Sequence, residues 1–264
     1  LTYFLKKAGQ SVHLIDNAHR GASSTVAAGI INPITGRRFV KSWRIDEFLP
    51  FARQTYQQIE RELSLSSEKS IKIFHERPIL RVLFSQKEEN DWLGRAALDN
   101  YAPYMSDNME WGTYADKVEK GFSLGEVCQT AQVDIKTLIQ TFQTQFLKEG
   151  ILKLEKLDYT TLDIQEEGVT FQGCFYDKLI FCEGYGTTQN PFFNYLPFNA
   201  AKGDVLLVRI PNVKFRRMLK HRVFIVPLRD DLYWVGSNYI WKFEDDSPTQ
   251  EGYEYLLGRL KEVL

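Results

Sequence analysis

Apolar residues recur at helical spacing in several segments of the chain. In residues 1–8 they fall at i, i+3, i+4 and i+7, and Gly9 follows where a helix commonly ends. Asp134 is a suitable N-cap for another helix that ends at Gly150. The apolar face of that helix consists of Ile135, Leu138, Ile139, Phe142 and Phe146. Further helices are predicted over residues 88–100, residues 248–264 and residues 46–63, the last with Asp46 as N-cap and Phe48, Ala52, Tyr56, Ile59 and Leu63 on one face.

Between these segments, short apolar runs bounded by turn signals predict β-strands. The first covers residues 12–16 and ends in an acid, Asp16. Residues 71–84 are also strand-like, with an interruption at Pro78. The other predicted strands cover residues 121–131, 151–157, 161–165, 169–175, 178–182, 204–210, 222–226 and 232–237. This mixed order of helices and strands predicts an α/β fold with two interleaved domains rather than two consecutive ones.

The composition narrows the class of protein. Of the 264 residues, 44% are hydrophobic and 25% charged, and the net charge of −1 gives no overall basic field for nucleic acid or an anionic membrane. The three cysteines lack CxxC spacing, so we expect neither structural disulfides nor a zinc site, and we expect a cytoplasmic location. The sequence has no apolar run of about 18 residues that would predict a membrane span, and its first residues do not resemble a signal peptide.

Asp16 is the first candidate for chemistry. In a dinucleotide-binding βαβ unit, an acid at the end of the second strand accepts hydrogen bonds from the adenosine ribose, about 20 residues after a glycine-rich loop. A helix followed by a strand is the second half of such a unit, so we expect the chain to begin just after that loop. The alternative is an acid that merely caps an exposed strand end.

Residues 21–33 are a second candidate because small residues are dense there. Their sequence is Gly-Ala-Ser-Ser-Thr-Val-Ala-Ala-Gly-Ile-Ile-Asn-Pro. Small residues permit close backbone approach to a flat ligand, and serine hydroxyls and free amides can donate to phosphate or ring carbonyl oxygens. A flexible surface loop is the alternative, although such a loop rarely mixes Ala, Val and Ile so heavily with Gly and Ser.

A strand that ends in an acid and is followed by this segment resembles the flavin loop of the D-amino-acid oxidase superfamily. Glycine oxidase, sarcosine oxidase and the oxidase domain of the bifunctional tRNA methylaminomethyl-uridine enzyme belong to it. The resemblance implies FAD as cofactor and a Rossmann-like FAD/NAD(P)-binding domain interleaved with an antiparallel-sheet substrate domain. The implied FAD domain covers residues 1–45 and 130–195, and the implied substrate domain covers residues 46–129 and 196–264. The implied contacts are Asp16 to the adenosine ribose and, to pyrophosphate and flavin, Ala22, Ser23, Ser24, Ala28 and Gly29.

Two later segments carry the same resemblance to the FAD domain. The predicted strand that ends at Leu157 resembles the one whose last residue meets adenine through its backbone. Residues 179–184 resemble the apolar strand and small-residue turn beside the pyrophosphate, which implies contacts from Cys182 and Gly184. Glu183 departs from the family pattern of small residues. Because a carboxylate facing pyrophosphate would be repulsive, either it points away or the site has changed.

The hairpin over residues 223–237 resembles the substrate domain of the family. Phe224 takes the place of a residue, often Tyr, near the substrate, and the resemblance places Arg222 on the substrate side as well. The loss of a phenolic hydroxyl weakens a simple glycine-oxidase assignment. The implied reaction is oxidation of the C–N bond of an amino acid or secondary amine by hydride transfer to flavin, which oxygen or another acceptor then reoxidises. Because the cofactor carries this chemistry, we assign no catalytic residue; a carboxylate-binding Arg of the family would follow Leu264.

Two other functions stay open. The oxidase role in tRNA wobble-uridine modification would be favoured by a basic surface patch at Arg216, Arg217 and Lys220, although residues 214–222 are more simply a loop of solvated charges. The other alternative is a non-catalytic fragment or binding module that binds no flavin.

The remaining polar residues give weaker signals. The histidines lack metal-ligand spacing, so we expect surface or satisfied core positions and no metal site for His13, His19, His75 and His221. A cationic cluster soon after the small-residue segment consists of Arg37, Arg38 and Lys41. It either binds a carboxylate or phosphate of the substrate, or its charges are simply solvated.

Overall fold

The structure, a computed structural model, describes residues 1–19, 21–65, 70–106 and 116–264. The chain divides into two compact units, each discontinuous in sequence. The first unit consists of Leu1–Thr25 and Ile139–Ala201, and the second consists of Val26–Leu138 and Lys202–Leu264. The assignment of a flavin domain and a substrate domain stays a prediction.

The chain contains both helices and strands in mixed order, which confirms the predicted mixed α/β class. The α-helices of the described ranges are α1 (Thr2–Lys7), α2 (Ser23–Val26), α3 (Ile45–Leu65), α4 (Gln86–Ala96), α5 (Ile135–Lys148) and α6 (Gln250–Lys261). The strands there are β1 (Leu14–Asp16), β2 (Ile30–Ile31), β3 (Ile34–Thr35), β4 (Val40–Lys41), β5 (Phe74–Glu76), β6 (Ile79–Leu83), β7 (Met105–Ser106), β8 (Ser123–Val127), β9 (Ala131–Val133), β10 (Leu152–Leu154), β11 (Asp163–Ile164), β12 (Val169–Phe171), β13 (Cys174–Tyr176), β14 (Val205–Arg209), β15 (Met218–Lys220), β16 (Phe224–Arg229) and β17 (Leu232–Gly236).

The first unit is built around a parallel pair of strands. β1 pairs with β10, so that Asp16 lies opposite Leu154 at the carboxyl end of both strands. β11, β12 and β13 form a separate antiparallel sheet. Aromatic contacts within this unit join α1 to α5, because the Tyr3 and Phe142 rings lie 5.8 Å apart and Phe142 stacks on Phe146 at 5.3 Å.

The predicted helix ends are confirmed by their backbone geometry. Gly9 and Gly150 have φ angles of +74° and +72°, the left-handed conformation that glycine adopts readily after a helix. At the start of α5, the Thr137 amide donates to the Asp134 carboxylate at 3.0 Å. The Thr137 hydroxyl donates to the same carboxylate at 2.7 Å. Asp134 is therefore the N-cap that the sequence predicts.

A seven-stranded sheet dominates the second unit. Its strand order is β14-β17-β16-β15-β6-β8-β7, with β15 parallel to β6 and the other neighbours antiparallel. β2, β9 and β5 form a small antiparallel sheet, and β3 pairs with β4.

The two faces of the seven-stranded sheet bury different side chains. One face packs against α6, whose Leu256 and Leu260 join a core with Leu219, Ile225 and Val235. The opposite face, called the aromatic face below, packs in a core that includes Phe39, Trp92, Phe224 and Trp234. Successive side chains of a strand point to opposite faces of the sheet, so alternate residues of each strand belong to the two different cores.

The strand predicted over residues 178–182 is wrong. The segment is extended but pairs with no strand in the described part of the chain. Leu179 and Ile180 are 37% and 51% exposed. An apolar run forms a strand only where a neighbouring strand takes up its amide and carbonyl groups, and local sequence does not reveal whether that neighbour exists.

The predicted start of α3 needs correction. The helix begins at Ile45, and Asp46 is not its N-cap, because its carboxylate accepts from Lys41 Nζ at 2.6 Å and from Tyr104 Oη at 2.7 Å. These bonds, that of Lys41 first, hold the pKa of Asp46 below its usual range. Ile59 and Leu63 are buried as predicted, but at the start of the predicted face Leu49 is buried instead of Phe48, which is 44% exposed.

The basic run at residues 214–222 is not a loop of solvated charges throughout. Met218 and Leu219 are fully buried, and they belong to β15, an inner strand of the seven-stranded sheet. Because Met218 and Leu219 are buried in the sheet, the cations next to them in sequence lie close to other strands. Arg217 forms an ion pair with Glu126 of β8 at 3.2 Å. The run is therefore partly a core strand.

None of the helices in the described ranges has both the length and the apolarity to cross a membrane. The longest, α3, carries acids and arginines along its length.

Candidate functional site

Asp16 lies where the sequence predicts it, at the carboxyl end of a short strand of the first unit. It ends β1, where its Oδ1 accepts from the Ala18 amide at 2.8 Å and its Oδ2 accepts from Gln143 Nε2 at 3.2 Å. Each carboxylate oxygen has a second lone pair, and the side chain is only partly buried. The carboxylate is thus fixed in orientation and keeps acceptor capacity for a pair of hydroxyl groups.

The small-residue segment begins in the same unit with a single helical turn. The amide and the hydroxyl of Thr25 both donate to the Ala22 carbonyl, at 2.8 and 2.7 Å. Ser23 and Ser24 are exposed, and their hydroxyls have no hydrogen-bond partner within the residues that the structure describes. Two free donors on a turn of small residues suit phosphate oxygens.

The turn at residues 182–184 is exposed at both Cys182 and Gly184, and Leu157 is half-buried after β10. Between them, the Glu183 carboxylate accepts from Tyr159 Oη and from Asn190 Nδ2, each at 2.7 Å. Burial, and then Glu183, raise the pKa of Tyr159 to about 12. The Glu183 carboxylate, which departs from the family pattern, is therefore hydrogen-bonded by two neutral donors of the first unit.

Sequence reasoning did not identify Tyr159 or Asn190. Asn190 is fully buried, which is unusual for an amide side chain and follows from its bond to Glu183. No local pattern marks either residue, since both are recognisable only as partners of a carboxylate distant in sequence.

Ala28 and Gly29, both predicted to contact the cofactor, belong to the second unit. Ala28 is buried in the core of the aromatic face. Gly29 has φ +71°, and a Cβ there would overlap the Val133 carbonyl oxygen. Packing against β9 thus accounts for glycine at this position, and contact with flavin stays a prediction.

The two predicted substrate residues do not lie together. Phe224 packs on the aromatic face. Arg222 instead bonds through Nε to the Glu262 carboxylate, 2.7 Å away at the end of α6, and its guanidinium lies 5.2 Å from the Phe84 ring. Because α6 covers the other face of the sheet, Arg222 does not converge with Phe224.

Two cations that the sequence did not single out as a pair accompany Phe224. Lys220 lies opposite Phe224 on one side and opposite Arg81 on the other, in strand register. Lys220 Nζ is 4.4 Å from the centroid of the Phe224 ring, and Arg81 Cζ is 4.7 Å from that of Phe39. Burial, and then Arg81, lower the pKa of Lys220 to about 8. Only the pairing of β15 with β6 brings these two residues together.

Several of the other polar candidates have structural partners. Lys41 binds Asp46, whereas Arg37 and Arg38 are exposed. His13 Nδ1 is 2.6 Å from Tyr176 Oη, and His221 is buried with Nε2 3.0 Å from the Glu119 carbonyl. Within the described ranges, no group of three His, Cys, Asp or Glu side chains could hold a metal ion.

A cleft of about 600 Å³ opens in the second unit beside Arg77, Arg216 and Arg229. None of the predicted cofactor or substrate residues lines it. It is open to solvent with a lining of mixed polarity, and the Arg77 guanidinium is already bonded to the Pro227 carbonyl at 2.5 Å. The geometry therefore gives no reason to place the reaction there.

The first unit fits an adenine dinucleotide in the chemistry of its groups. A fixed carboxylate at the end of a parallel strand suits ribose hydroxyls, and the unpartnered serine hydroxyls suit phosphate. Gly184, with φ +57° and open space around it, lets the backbone approach a ligand. The one carboxylate that would oppose a pyrophosphate, Glu183, is held by its neighbours.

The whole chain, residues 1–264, matches the family model of the FAD-dependent oxidoreductases, the DAO family. The fold is similar to that of glycine oxidase from Geobacillus kaustophilus, with a TM-score of 0.76 at 14% identity over 95% of this chain and 70% of that chain. Glycine oxidase from Bacillus cereus gives a TM-score of 0.72 at 17% identity, over 99% of this chain and 75% of that chain. Iminodiacetate oxidase from Chelativorans sp. BNC1 gives a TM-score of 0.69 at 15% identity, over 99% of this chain and 76% of that chain. This chain therefore belongs to the DAO family of FAD-dependent oxidoreductases.

Proposed function

We propose that the protein oxidises the C–N bond of an amino acid or a secondary amine, with transfer of a hydride to FAD. The observation that carries this proposal is the family match along the whole chain, together with a fold similar to oxidases named for glycine and iminodiacetate. FAD, when bound, supplies the hydride acceptor, and oxygen or another acceptor reoxidises it. The protein's own task is to hold the cofactor, to orient the amine and to exclude water.

In this proposal the first unit holds the cofactor. Asp16 accepts hydrogen bonds from the ribose hydroxyls, and the hydroxyls of Ser23 and Ser24 donate to the pyrophosphate. Leu157 contacts adenine through its backbone. The turn at Cys182 and Gly184 approaches the pyrophosphate, while Tyr159 and Asn190 keep the Glu183 carboxylate bound to themselves.

The first test is whether the purified protein binds FAD. Asp16→Ala should weaken FAD binding by about tenfold or more, because it removes the charged acceptor for the ribose. The matched control is Asp163→Ala, since Asp163 is also an acid on a strand of the first unit but is exposed and bonds only locally to Gln165. Equal FAD affinity in both variants would contradict the assignment of Asp16. A purified protein without flavin absorbance that also fails to bind added FAD would overturn the proposed function.

The second test concerns the substrate. A panel of primary and secondary amines, read out by peroxide and by reduction of an artificial acceptor, should show turnover of free amino acids or small secondary amines. Turnover confined to a tRNA-linked amine would replace our proposal with the wobble-uridine function. The basic residues that would favour that function do not form one exposed patch, because Arg217 pairs with Glu126 and Lys220 is largely buried beside Phe224.

A further inference from the structure

The cleft beside Arg77, Arg216 and Arg229 lies wholly within the second unit and has a volume of about 600 Å³. That volume is in the range of protein sites for small molecules. Its walls come from segments that are distant in sequence, namely Gln57 of α3, β5 with its flanking residues, residues 215 and 216, and residues 227–230 at the end of β16. The tertiary structure therefore builds a concave surface that no single segment of the sequence contains.

Positive charge exceeds negative charge around this cleft. Two of the ionic side chains that line it are already neutralised, because Lys72 pairs with Glu60 at 3.0 Å and Glu76 pairs with Arg53 at 3.0 Å. The other charged side chains of the lining are three arginines and one acid, namely Arg77, Arg216, Arg229 and Asp230. The lining therefore carries an excess of guanidinium groups over carboxylates.

Arg216 and Arg229 keep their donors available. Both are exposed, and in the part of the chain that the structure describes neither makes an ion pair or a side-chain hydrogen bond. Arg77 differs, since its guanidinium donates to the Pro227 carbonyl at 2.5 Å and is thereby fixed at the wall. The cleft thus combines one anchored guanidinium with two that can turn toward a ligand.

His75, which also lines the cleft, is subject to the same excess of positive charge. It is half-buried on β5, and its pKa is lowered by burial and then by the charges of Arg77 and Lys72. In its neutral form the imidazole still offers one N–H donor. The electrostatic environment of the cleft therefore disfavours a further cation and favours an anion.

The floor of the cleft is apolar and held in place. Phe74 and Phe215 line it from almost fully buried positions, and Leu228 lies beside them. The Phe74 ring stacks on that of Tyr56 with 5.9 Å between centroids, and the Phe215 amide donates to Tyr233 Oη at 3.1 Å. A fixed apolar floor below a charged rim suits a ligand with an apolar body and an anionic end.

We propose that this cleft is a second ligand site, which binds a phosphate monoester with a small apolar body. The arginines stand on separate segments, so their donors approach a ligand from several directions. A tetrahedral phosphate accepts from several directions, and its charge of about −2 balances the excess of guanidinium groups, whereas a planar carboxylate is matched by a single guanidinium. None of the residues assigned to FAD or to the amine lines the cleft, so this site is additional to the proposed oxidation.

The test uses phenyl phosphate as the probe, titrated by isothermal calorimetry in the presence and in the absence of saturating FAD. Inorganic phosphate and benzoate are the comparison ligands, since the first lacks the apolar body and the second replaces the phosphate by a carboxylate. We expect phenyl phosphate to bind about tenfold more tightly than either of them. Its affinity should be the same with and without FAD.

Arg216→Gln and Arg229→Gln should each weaken the binding of phenyl phosphate by about tenfold, the effect of losing one hydrogen bond between charged groups. Both side chains are exposed, so neither substitution should disturb folding. Arg209→Gln is the matched control, because Arg209 is an exposed arginine of the same unit that pairs with Asp231 and does not line the cleft. Its affinity for phenyl phosphate should equal that of the unaltered protein.

NMR of the histidine ring signals gives the position of the ligand. Phenyl phosphate should shift the signal of His75, which lines the cleft, and leave that of His13 in the first unit unchanged. An unmoved His75 signal, unchanged affinity in both glutamine variants at the cleft, or an equal loss in Arg209→Gln would overturn the inference. Tighter binding of benzoate than of phenyl phosphate, competition by FAD, or binding of a short RNA oligonucleotide but not of phenyl phosphate would overturn it as well.

Discussion

Glu183 shows how one side chain can look incompatible with a site and still be accommodated. Its carboxylate is held by Tyr159 and by the buried Asn190, so its negative charge is directed into the first unit. Neither partner carries a charge of its own, and no cation is needed nearby. A carboxylate is thus tolerated in the exposed turn where the family has small residues.

We predict that Glu183→Gln lowers the pKa of Tyr159 from about 12 toward its usual value near 10. The variant removes the negative charge and the ionised acceptor, while the burial contribution stays. The measurement is a pH titration of the Tyr159 ring carbon by NMR in tyrosine-labelled protein, with Tyr159→Phe used for assignment. The Tyr104 resonance is the internal control, because its pKa is also raised to about 12, but by burial and then Asp46. A shift of both resonances would contradict the assigned cause.

Lys220 gives a prediction about stability and pH. Its pKa is lowered from 10.5 to about 8 by burial and then by Arg81, whose own charged neighbour is Glu88. The folded state therefore releases the Lys220 proton near pH 8, whereas the unfolded state keeps it until about pH 10.5. Below pH 8 the charged lysine destabilises the folded state. Between pH 8 and pH 10.5 the free energy of unfolding rises with pH, because only the unfolded state still binds the proton.

Lys220→Met should consequently raise the free energy of unfolding at pH 7 by about 2 kcal/mol. Each pKa unit by which the value is lowered corresponds to about 1.4 kcal/mol. The loss of the cation–π contact with Phe224 offsets part of that gain. The gain should shrink as the pH rises above 8 toward 10.5. Denaturant unfolding at several pH values measures both effects, with the exposed Lys214→Met as control. A gain that stays constant with pH would show that the charge is not its cause.

At the scale of elements, the entry into β2 depends on a backbone position that only glycine satisfies. Gly29 combines φ +71° with a Cβ position that the Val133 carbonyl oxygen already occupies. The Gly29 carbonyl also accepts from the Val133 amide at 2.8 Å, so the two segments cannot separate without losing this bond. The small-residue segment is therefore shaped at this point by packing.

We predict that Gly29→Ala destabilises the protein by about 3 kcal/mol or more, through left-handed strain and displacement of the β9 backbone. Gly36 offers a matched control, because its φ is +70° with nothing within 4 Å of an added Cβ. Gly36→Ala should cost only the strain, about 1–2 kcal/mol. The comparison is made by thermal and denaturant unfolding. Equal losses in the two variants would show that contact with β9 contributes nothing.

At the scale of the whole molecule, the reactivity of the three cysteine thiols can be used to probe each of the two units separately. Cys174 and Cys182 are exposed in the first unit. Cys128 is half-buried in the second unit, where burial and then Glu126 raise the pKa of its thiol. Because the thiolate is the reactive form, we expect two thiols to react rapidly with a disulfide reagent and the third to react slowly.

Added FAD should slow the reaction of Cys182 and leave Cys174 unaffected, since only Cys182 belongs to the turn assigned to the pyrophosphate. The variants Cys174→Ser and Cys182→Ser each leave one rapid thiol, so release of the reagent's chromophore measures the two sites independently. Equal protection of both thiols, or of neither, would contradict the placement of the cofactor at residues 182–184.

Much of the secondary structure is determined by the sequence itself. The 3.6-residue periodicity, Asp134 and Gly150 predict α5, and the acid after a short apolar run predicts β1 with Asp16 at its end. These features act within a few residues, so local sequence contains the physical cause. The small-residue segment likewise carries the resemblance to the family, which the match over residues 1–264 confirms.

Only the tertiary structure decided which distant residues meet. Residues 178–182 have the composition of a strand but no partner in the described ranges, and Asp46 bonds to Lys41 and Tyr104 instead of capping α3. The pairing of β15 with β6 placed Lys220 beside Arg81, and α6 drew Arg222 to the opposite face from Phe224. The physical reason is that strand pairing and ion pairing join groups far apart in sequence, so register and burial, rather than residue type, determine where a charge ends up.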